Sequence, residues 1–401
     1  MEGSQLGSKK TCIALITIVL CVLAATARPQ PASAARGMLV GIYDPVQPVI
    51  APDATFKTLV NLRAQIIRLN LDWNLIAARR PATPTDPADP AYDWSTYDRV
   101  LQNAAKNKIQ VLFTIVGTPR WANGKLKGTN VAPQKMADLR YFALAAAKRY
   151  SGTFKRTDGV VLPPVRKWLA WNEPNNPVFL RPQWAKVGRR CAAVKKHRCV
   201  RYVARYSPVA AKAYVGICTA VWSGVHASHL AKEVVGCGAT DPHGNNAARN
   251  ARPSISPTAF LQDLRNFGLK RAHFDVYAHH PYYSRPNEAP STKPKGKQTV
   301  TLGNLSVLTK LLGKLYGNKK LWITEYGYQT RPPDRTFGVT WAKQAKYLTQ
   351  AYAIARKNPR VTMMLWFLLR DEGRVSGWQS GLFTVGGKKK PAYDAFRRLP
   401  H

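Results

Sequence analysis

Trp168-Leu169-Ala170-Trp171-Asn172-Glu173-Pro174-Asn175 is an apolar run that ends abruptly in a lone carboxylate flanked by an amide and a proline. Leu321-Trp322-Ile323-Thr324-Glu325-Tyr326-Gly327 has the same layout further along the chain. Each stretch predicts a short buried strand that carries one glutamate at its C-terminal end. This pattern is typical of a parallel α/β barrel, because the strand bodies fill the core and only the strand ends reach a ligand.

Six further apolar stretches supply the other strands of such a barrel. Helical patterns lie between them, for example the amphipathic stretch from Ala132 to Tyr150. The Pro-rich stretch from Arg80 to Ala91 is too short to separate two domains. We therefore predict the α/β class and a single (β/α)8 TIM barrel domain over residues 35–401. The predicted strands are 38–45, 66–73, 109–117, the stretch before Glu173, 233–240, 274–278, the stretch before Glu325 and 362–369.

Two glutamates brought from distant strands to one cleft are the groups that glycoside hydrolysis uses. Residues 171–175 and 324–327 resemble the acid/base and nucleophile strands of clan A retaining glycoside hydrolases, near families 39 and 5. The resemblance extends from about residue 38 to residue 399 and assigns Glu173 as the acid/base and Glu325 as the nucleophile. Neither step of that chemistry requires a metal or an organic cofactor.

The resemblance also assigns cleft positions to six other residues. Arg68 lies inside an apolar strand and needs a buried anionic partner, and the resemblance makes this partner Glu325. Asn172 would hydrogen-bond the 2-hydroxyl group of the sugar. The adjacent His279 and His280 point to opposite faces of a strand and cannot easily share one metal ion. The six residues are Arg68, Trp121, Asn172, His280, Tyr282 and Trp366. A structural ion pair is the alternative for Arg68, and core packing is the alternative for Trp121, His280 and Tyr282.

The first 34 residues have the features of a secretory signal peptide. Lys9 and Lys10 precede an apolar run from Cys12 to Ala27, and Ala32-Ser33-Ala34 resembles a cleavage site. A membrane anchor is the alternative, but the run is shorter than the ~20 residues that a spanning helix needs. We therefore expect a secreted protein without a stable transmembrane anchor.

Four of the six cysteines lie beyond this leader. Outside the cytosol an even number of cysteines permits disulfides, and four cysteines allow three pairings. Cys191 and Cys199 bracket a very basic stretch, so we predict a bridge between them. Cys218 and Cys237 lie in a helical and a strand pattern, where packing usually holds the backbones too far apart, so buried thiols are equally compatible.

The formal net charge of +40 is the strongest compositional feature. Such a surface concentrates polyanions, although it also fits a host with generally basic proteins. No nucleic-acid-binding motif is present. We expect a monomeric, secreted retaining hydrolase that cleaves O-glycosidic, β-linked bonds of a polysaccharide or oligosaccharide by double displacement. The alternative is a catalytically weak or inactive cell-surface glycan-binding protein whose basic surface holds an anionic polymer. The sequence does not choose among β-glucan, xylan, mannan and exopolysaccharide.

Overall fold

The computed structural model of the chain describes Met1, residues 37–124 and residues 126–400. The predicted signal peptide, residues 1–34, lies outside the described residues except for Met1, so it stays a prediction. Among the helices of the described residues, none combines the length and the apolar character needed to cross a bilayer.

Eight parallel strands close into a barrel, and in their order around the ring they are Leu39–Tyr43 (β1), Ile66–Asp72 (β2), Gln110–Val116 (β3), Lys167–Ala170 (β4), Val234–Thr240 (β7), Val276–His279 (β8), Lys320–Tyr326 (β9) and Val361–Phe367 (β10). The pairing of β1 with β10 is parallel like all the others and completes the ring. The closed barrel with helices between its strands confirms the predicted (β/α)8 architecture.

The helices surround the barrel and bury one apolar stripe each. In α4 this stripe comprises Tyr97, Leu101 and Ala104, which recur every three or four residues. In α7 the Ser256 side chain accepts a hydrogen bond from the backbone N–H of Ala259 and caps the first turn. In the described part of the chain the α-helices are Gln47–Ile50 (α1), Pro52–Asn61 (α2), Trp73–Ile76 (α3), Ser95–Lys106 (α4), Met136–Arg149 (α5), Val209–His226 (α6), Pro257–Asn266 (α7), Ser306–Tyr316 (α8), Trp341–Arg356 (α9) and Pro391–Arg397 (α10).

Side chains of the barrel strands alternate between two buried cores. Ile66, Met363 and Leu365 belong to the core inside the barrel. Met364 and Trp366 belong to the larger core between the strands and the helices. Because the alternation has a period of two residues, the register of each strand decides which side chains can reach the mouth of the barrel.

An antiparallel hairpin, Ala185–Lys195 (β5) and Arg198–Ser207 (β6), interrupts the regular order between β4 and α6. It forms a two-stranded sheet of its own and pairs with no barrel strand. A disulfide joins Cys191 to Cys199 within it, with 5.7 Å between the Cα atoms. The sequence predicted this pairing but identified the surrounding stretch only as an unusual basic segment.

A second disulfide joins Cys218 of α6 to Cys237 of β7, with 5.8 Å between the Cα atoms. The sequence left this pairing open beside buried thiols, because helix-to-sheet packing usually holds such backbones further apart. Tyr214 of α6 holds the helix close against the barrel, because its Oη accepts a hydrogen bond from the Gly238 N–H of β7 at 2.7 Å and donates to Ala170 O of β4 at 2.6 Å.

Candidate active site

A cavity of about 670 Å³ opens at the C-terminal ends of the barrel strands. Both glutamates that the sequence singled out line it, although each comes from a different part of the barrel. Its lining includes Tyr43, Asn172, Glu173, Asn176, Val178, Phe179, Asp241, His243, Arg252, Tyr282, Glu325, Phe367, Glu372 and Trp378.

Glu173 reaches the cavity because the backbone turns sharply after β4. Trp171 and Glu173 both have positive φ angles, 66° and 37°, a conformation that costs a non-glycine residue ~1–3 kcal/mol. Hydrogen bonds to the neighbouring strands hold this turn: Trp171 N–H donates to Ile115 O at 3.0 Å, and Glu173 N–H donates to Ala239 O at 2.9 Å. The barrel itself therefore imposes the orientation of the Glu173 carboxyl group.

Glu325 at the end of β9 forms a buried ion pair with Arg68 of β2. Arg68 shares the interior face of β2 with Ile66, and its side chain is fully buried. Its Nη1 donates to Glu325 Oε1 at 2.8 Å, its Nη2 to Asn172 Oδ1 at 2.6 Å and its Nε to Thr114 Oγ1 at 2.8 Å. These bonds offset the cost of burying the guanidinium group and hold it in one orientation.

His280 lies beneath the cavity and connects the two glutamates. Its Nε2 faces Arg68 Nη1 at 3.4 Å, and because a guanidinium group can only donate, Nε2 must be the acceptor. Thr324 Oγ1, 2.9 Å away, donates to the same nitrogen. The ring proton is therefore on Nδ1, which donates to Glu173 Oε1 at 2.8 Å. Burial lowers the pKa of His280 to about 3, so the ring is neutral at physiological pH.

The surroundings of the two glutamates separate their pKa values. Burial raises the pKa of Glu173 well above its ordinary value, and the nearby Asp241 carboxylate raises it further. Burial also raises the pKa of Glu325, but the positive charge of Arg68 opposes this rise. Glu173 therefore keeps its proton to a higher pH, whereas Glu325 is the member of the pair that ionises first.

Glu173, His280 and Glu325 each offer one potential ligand atom, and these atoms all lie within 4.8 Å of one another. Three such donors could in principle hold a divalent cation. Here the Nδ1 atom of His280 carries a proton, and Arg68 already provides positive charge at Glu325. The donor set therefore fits proton transfer between carboxyl groups better than metal coordination.

Tyr282 and Asn172 complete the polar surroundings of Glu325. Tyr282 Oη donates to Glu325 Oε2 at 3.2 Å, and burial raises the pKa of the phenol so that it stays protonated. Arg68 fixes the Oδ1 atom of Asn172 as an acceptor. The Nδ2 amide of Asn172 donates to no described residue and remains available to a ligand in the cavity.

Two tryptophans that the sequence assigned to the cleft lie elsewhere. Trp366 is fully buried in the core outside the barrel, where its Nε1 donates to Ser380 O at 2.9 Å. The next residue, Phe367, points into the barrel mouth instead, because neighbours on a strand face opposite sides. Trp121 packs edge-on against Trp73 and donates to Ala77 O at 2.7 Å, and it does not line the cavity.

Other aromatic residues form an apolar wall in their place. The rings of Tyr43 and Phe367 stack with 5.2 Å between their centroids. Trp378, half-buried in the loop after β10, lies 5.2 Å from Tyr282 and 5.4 Å from Phe367. Aromatic faces beside polar groups are the kind of surface on which a sugar ring stacks.

A buried lysine anchors the loop that carries Trp378. Lys390 Nζ donates to Asp371 Oδ1 at 2.7 Å, to Thr330 Oγ1 at 2.8 Å and to Gln379 O at 3.1 Å. These contacts hold both ends of the loop, at Asp371 and Gln379, against Lys390, the residue that precedes α10. The indole of Trp378 is therefore positioned by an ion pair that does not reach the cavity.

Asn176, Asp241 and Arg252 are among the polar lining residues that the sequence did not single out. Asn176 Nδ2 donates to Asp241 Oδ2 at 2.7 Å and approaches Glu173 Oε2 at 3.4 Å. Arg252 Nη2 donates to Asn176 Oδ1 at 3.1 Å. Asn176 directly follows the motif around Glu173 and could have been found there, whereas Arg252 lies in a loop without any pattern. His243, in the loop after β7, is exposed and also lines the cavity.

The sequence matches no protein-family model and has no significant match among curated proteins. Solved structures that share its fold include glycoside hydrolases of families 39 and 5, as the resemblance in the sequence implied. At these low identities the likeness establishes the fold, and the fold prediction is confirmed.

Three of these structures show the sequence identity, TM-score and coverage of such matches. A family 39 glycoside hydrolase from Bacteroides cellulosilyticus WH2 is 18% identical with a TM-score of 0.61, and the match covers 92% of this chain but 64% of that protein, less than two thirds of its length. A family 39 β-xylosidase from Caulobacter crescentus is 17% identical with a TM-score of 0.55, over 92% of this chain and 71% of that one. Xylanase 10B from Thermotoga petrophila RKU-1 is 14% identical with a TM-score of 0.54, over 90% and 93%.

Proposed function

We propose that this chain is a secreted retaining glycoside hydrolase that cleaves β-linked O-glycosidic bonds of a polysaccharide or oligosaccharide. The observation that carries the proposal is the closeness of the two glutamates, one oxygen of each lying within 4.8 Å of the other. Retaining enzymes hold their carboxyl groups ~5 Å apart, whereas inverting enzymes leave ~6.5–9.5 Å for a water molecule. The separation supports direct attack by one carboxylate on the sugar.

In the first step, a Glu325 oxygen forms a bond to the anomeric carbon while the bond from that carbon to the leaving oxygen breaks. Glu173 gives its proton to the leaving oxygen. In the second step, the Glu173 carboxylate takes a proton from water, and the water oxygen displaces Glu325 from the anomeric carbon. Both carboxyl groups then return to their initial protonation states.

The contacts support this division of roles. Glu325 receives hydrogen bonds from Arg68 and Tyr282, which favour the charged form that a nucleophile needs. Glu173 is buried and lies near the Asp241 carboxylate, and both effects favour the protonated form that a general acid needs. The free Nδ2 amide of Asn172 could bind the sugar 2-hydroxyl group, where hydrogen bonds strengthen in the transition state.

The test is sugar release from a panel of neutral and acidic polysaccharides by the protein without residues 1–34, run beside Glu325→Ala and Glu173→Gln. We expect release by the wild type and its loss in Glu325→Ala. On an aryl glycoside with a good leaving group, Glu173→Gln should accumulate a covalent glycosyl adduct on the peptide that contains Glu325, detectable by mass spectrometry.

The stereochemistry provides an independent check. Proton NMR of the first product should show the β anomer before mutarotation, because two displacements retain configuration. Initial formation of the α anomer would rule out the double-displacement mechanism. Sugar release that persists in Glu325→Ala would rule out Glu325 as the nucleophile. For the proposed localisation, the leader should direct a reporter protein across a bacterial membrane and be removed from it.

A further inference from the structure

The hairpin of β5 and β6, residues 185–207, is called the basic arm below. It carries eight lysine and arginine side chains and no acidic residue. All eight cationic residues are exposed. Within the described chain, none of them forms an ion pair with a carboxylate. The charge of the basic arm is therefore not neutralised by the protein itself.

The basic arm also places like charges against each other. Lys195 lies directly opposite Arg198 in the strand register, and like charges in such cross-strand positions destabilise a hairpin. An isolated two-stranded hairpin is only marginally stable in water. The disulfide between Cys191 and Cys199 maintains the hairpin against this repulsion. An anionic ligand bound between these cations would weaken the repulsion.

The base of the basic arm lies at the catalytic end of the barrel. Gln183, two residues before β5, donates its Nε2 amide to Pro174 O at 2.9 Å, immediately after Glu173. Val178 and Phe179, on the same connection, line the active-site cavity. With ~3.3 Å of length per residue, the eleven residues of β5 extend about 35 Å from this point.

We propose that the basic arm binds an acidic polysaccharide and holds the polymer beside the cavity in which it is cut. The proposal rests on the proposed glycosidase function for the identity of the polymer. Charge complementarity favours an extended polyanion, because the cations are distributed along both strands rather than gathered in one pocket. A membrane surface is disfavoured, since the basic arm contains no Trp, Phe or Leu that could enter the acyl region.

The first experiment compares two variants that lose the same charge. The arm variant loses four cations of the basic arm, and the control variant loses four exposed cations of helices α8 and α9 and the residue that follows α9. The arm variant is Arg189→Gln, Arg190→Gln, Arg201→Gln and Arg205→Gln, and the control variant is Lys310→Gln, Lys314→Gln, Lys346→Gln and Lys357→Gln. Binding to polygalacturonate is measured by affinity electrophoresis at low salt and at ~0.5 M NaCl.

We expect the arm variant to lose on the order of tenfold in affinity for polygalacturonate at low salt, and the control variant to lose much less. High salt should abolish the difference. Equal losses in the two variants would overturn the proposal, because the net charge alone would then explain binding. The proposal would also be overturned if the arm variant lost more affinity for a homopolymeric RNA, or for anionic phospholipid vesicles, than it loses for polygalacturonate.

A second measurement separates this proposal from the proposed function. Glu325→Ala should bind polygalacturonate like the wild type, since the basic arm does not line the cavity. On a short neutral oligosaccharide that the wild type cleaves, the arm variant should keep its kcat and KM. If the protein binds polygalacturonate through the arm but releases no sugar from any substrate, the proposed glycosidase function is wrong while the binding role of the arm still holds.

Discussion

Replacing Arg68 by methionine tests whether its charge keeps Glu325 ready to attack. The guanidinium group is fully buried and Nη1 lies 2.8 Å from Glu325 Oε1. Two charges ~4 Å apart in an effective dielectric of ~20 interact by ~4 kcal/mol. This energy corresponds to ~3 pKa units, and observed effects of a neighbouring arginine are ~1–3 units. We therefore expect the pKa of Glu325 to rise by ~1–3 units in Arg68→Met.

The assay is the pH dependence of kcat/KM for sugar release. Its acidic limb reports the ionisation of the nucleophile in the free enzyme, so in Arg68→Met this limb should move to higher pH by the same ~1–3 units. Arg68→Lys is the matched variant, because it keeps the charge but loses the planar fork that also holds Asn172 and Thr114. Its acidic limb should stay near that of the wild type while kcat falls.

Stability must be measured in parallel. Breaking a buried ion pair costs ~3–5 kcal/mol of folding free energy, so the melting temperature and circular dichroism of each variant are recorded at every pH. The double variant Arg68→Met with Glu325→Gln should recover part of the lost stability, because it leaves no unpaired buried charge. A folded Arg68→Met enzyme with an unchanged acidic limb would refute the electrostatic role assigned to Arg68.

Three further predictions concern proton transfer and stability. Burial raises the pKa of Glu233 to about 7, above its value in the unfolded chain. The wild type should therefore lose stability as the pH rises from about 4.5 to 7. After allowance for solvent screening, the free energy of unfolding of Glu233→Gln, measured in urea, should exceed that of the wild type by ~1–2 kcal/mol at pH 8 and equal it at pH 4. His280→Phe removes the Nδ1–H donor that stabilises the Glu173 carboxylate, so the basic limb of kcat/KM should move to higher pH, and an unchanged limb would contradict the assigned tautomer. Replacing Cys218 and Cys237 by alanine opens a loop with a sequence separation of 19 and should lower the free energy of unfolding by ~3 kcal/mol. Opening the disulfide of the basic arm should leave the main thermal transition unchanged, because the arm pairs only with itself.

The sequence was sufficient to predict the barrel because its strands are strongly apolar and end in polar residues. Arg68 and Tyr282, which the family resemblance placed beside Glu325, both contact this carboxylate in the structure. A charged residue within an apolar strand carries unusual information, since its burial requires a partner. The catalytic assignments themselves stay predictions until activity is measured.

The wrong predictions concern side chains whose orientation the local sequence does not determine. All five residues from Met363 to Phe367 are apolar, so composition could not show which of them face the barrel interior, and Phe367 rather than Trp366 reaches the cavity. Trp378 lies in a loop whose position depends on the distant Lys390. The approach of α6 to β7 depends on the hydrogen bonds of Tyr214 to Ala170 and Gly238, which the local sequence does not show.

The basic arm begins and ends at one place on the barrel. Ala185 pairs with Ser207 across its base, and the backbone N–H of Ala210 donates to Gln183 O at 3.2 Å. Since the flanking chain is already joined without the arm, a short turn could replace the whole insertion without moving β4 or α6. The arm is thus a self-contained insertion, which could be gained, lost or transferred to another barrel as a unit.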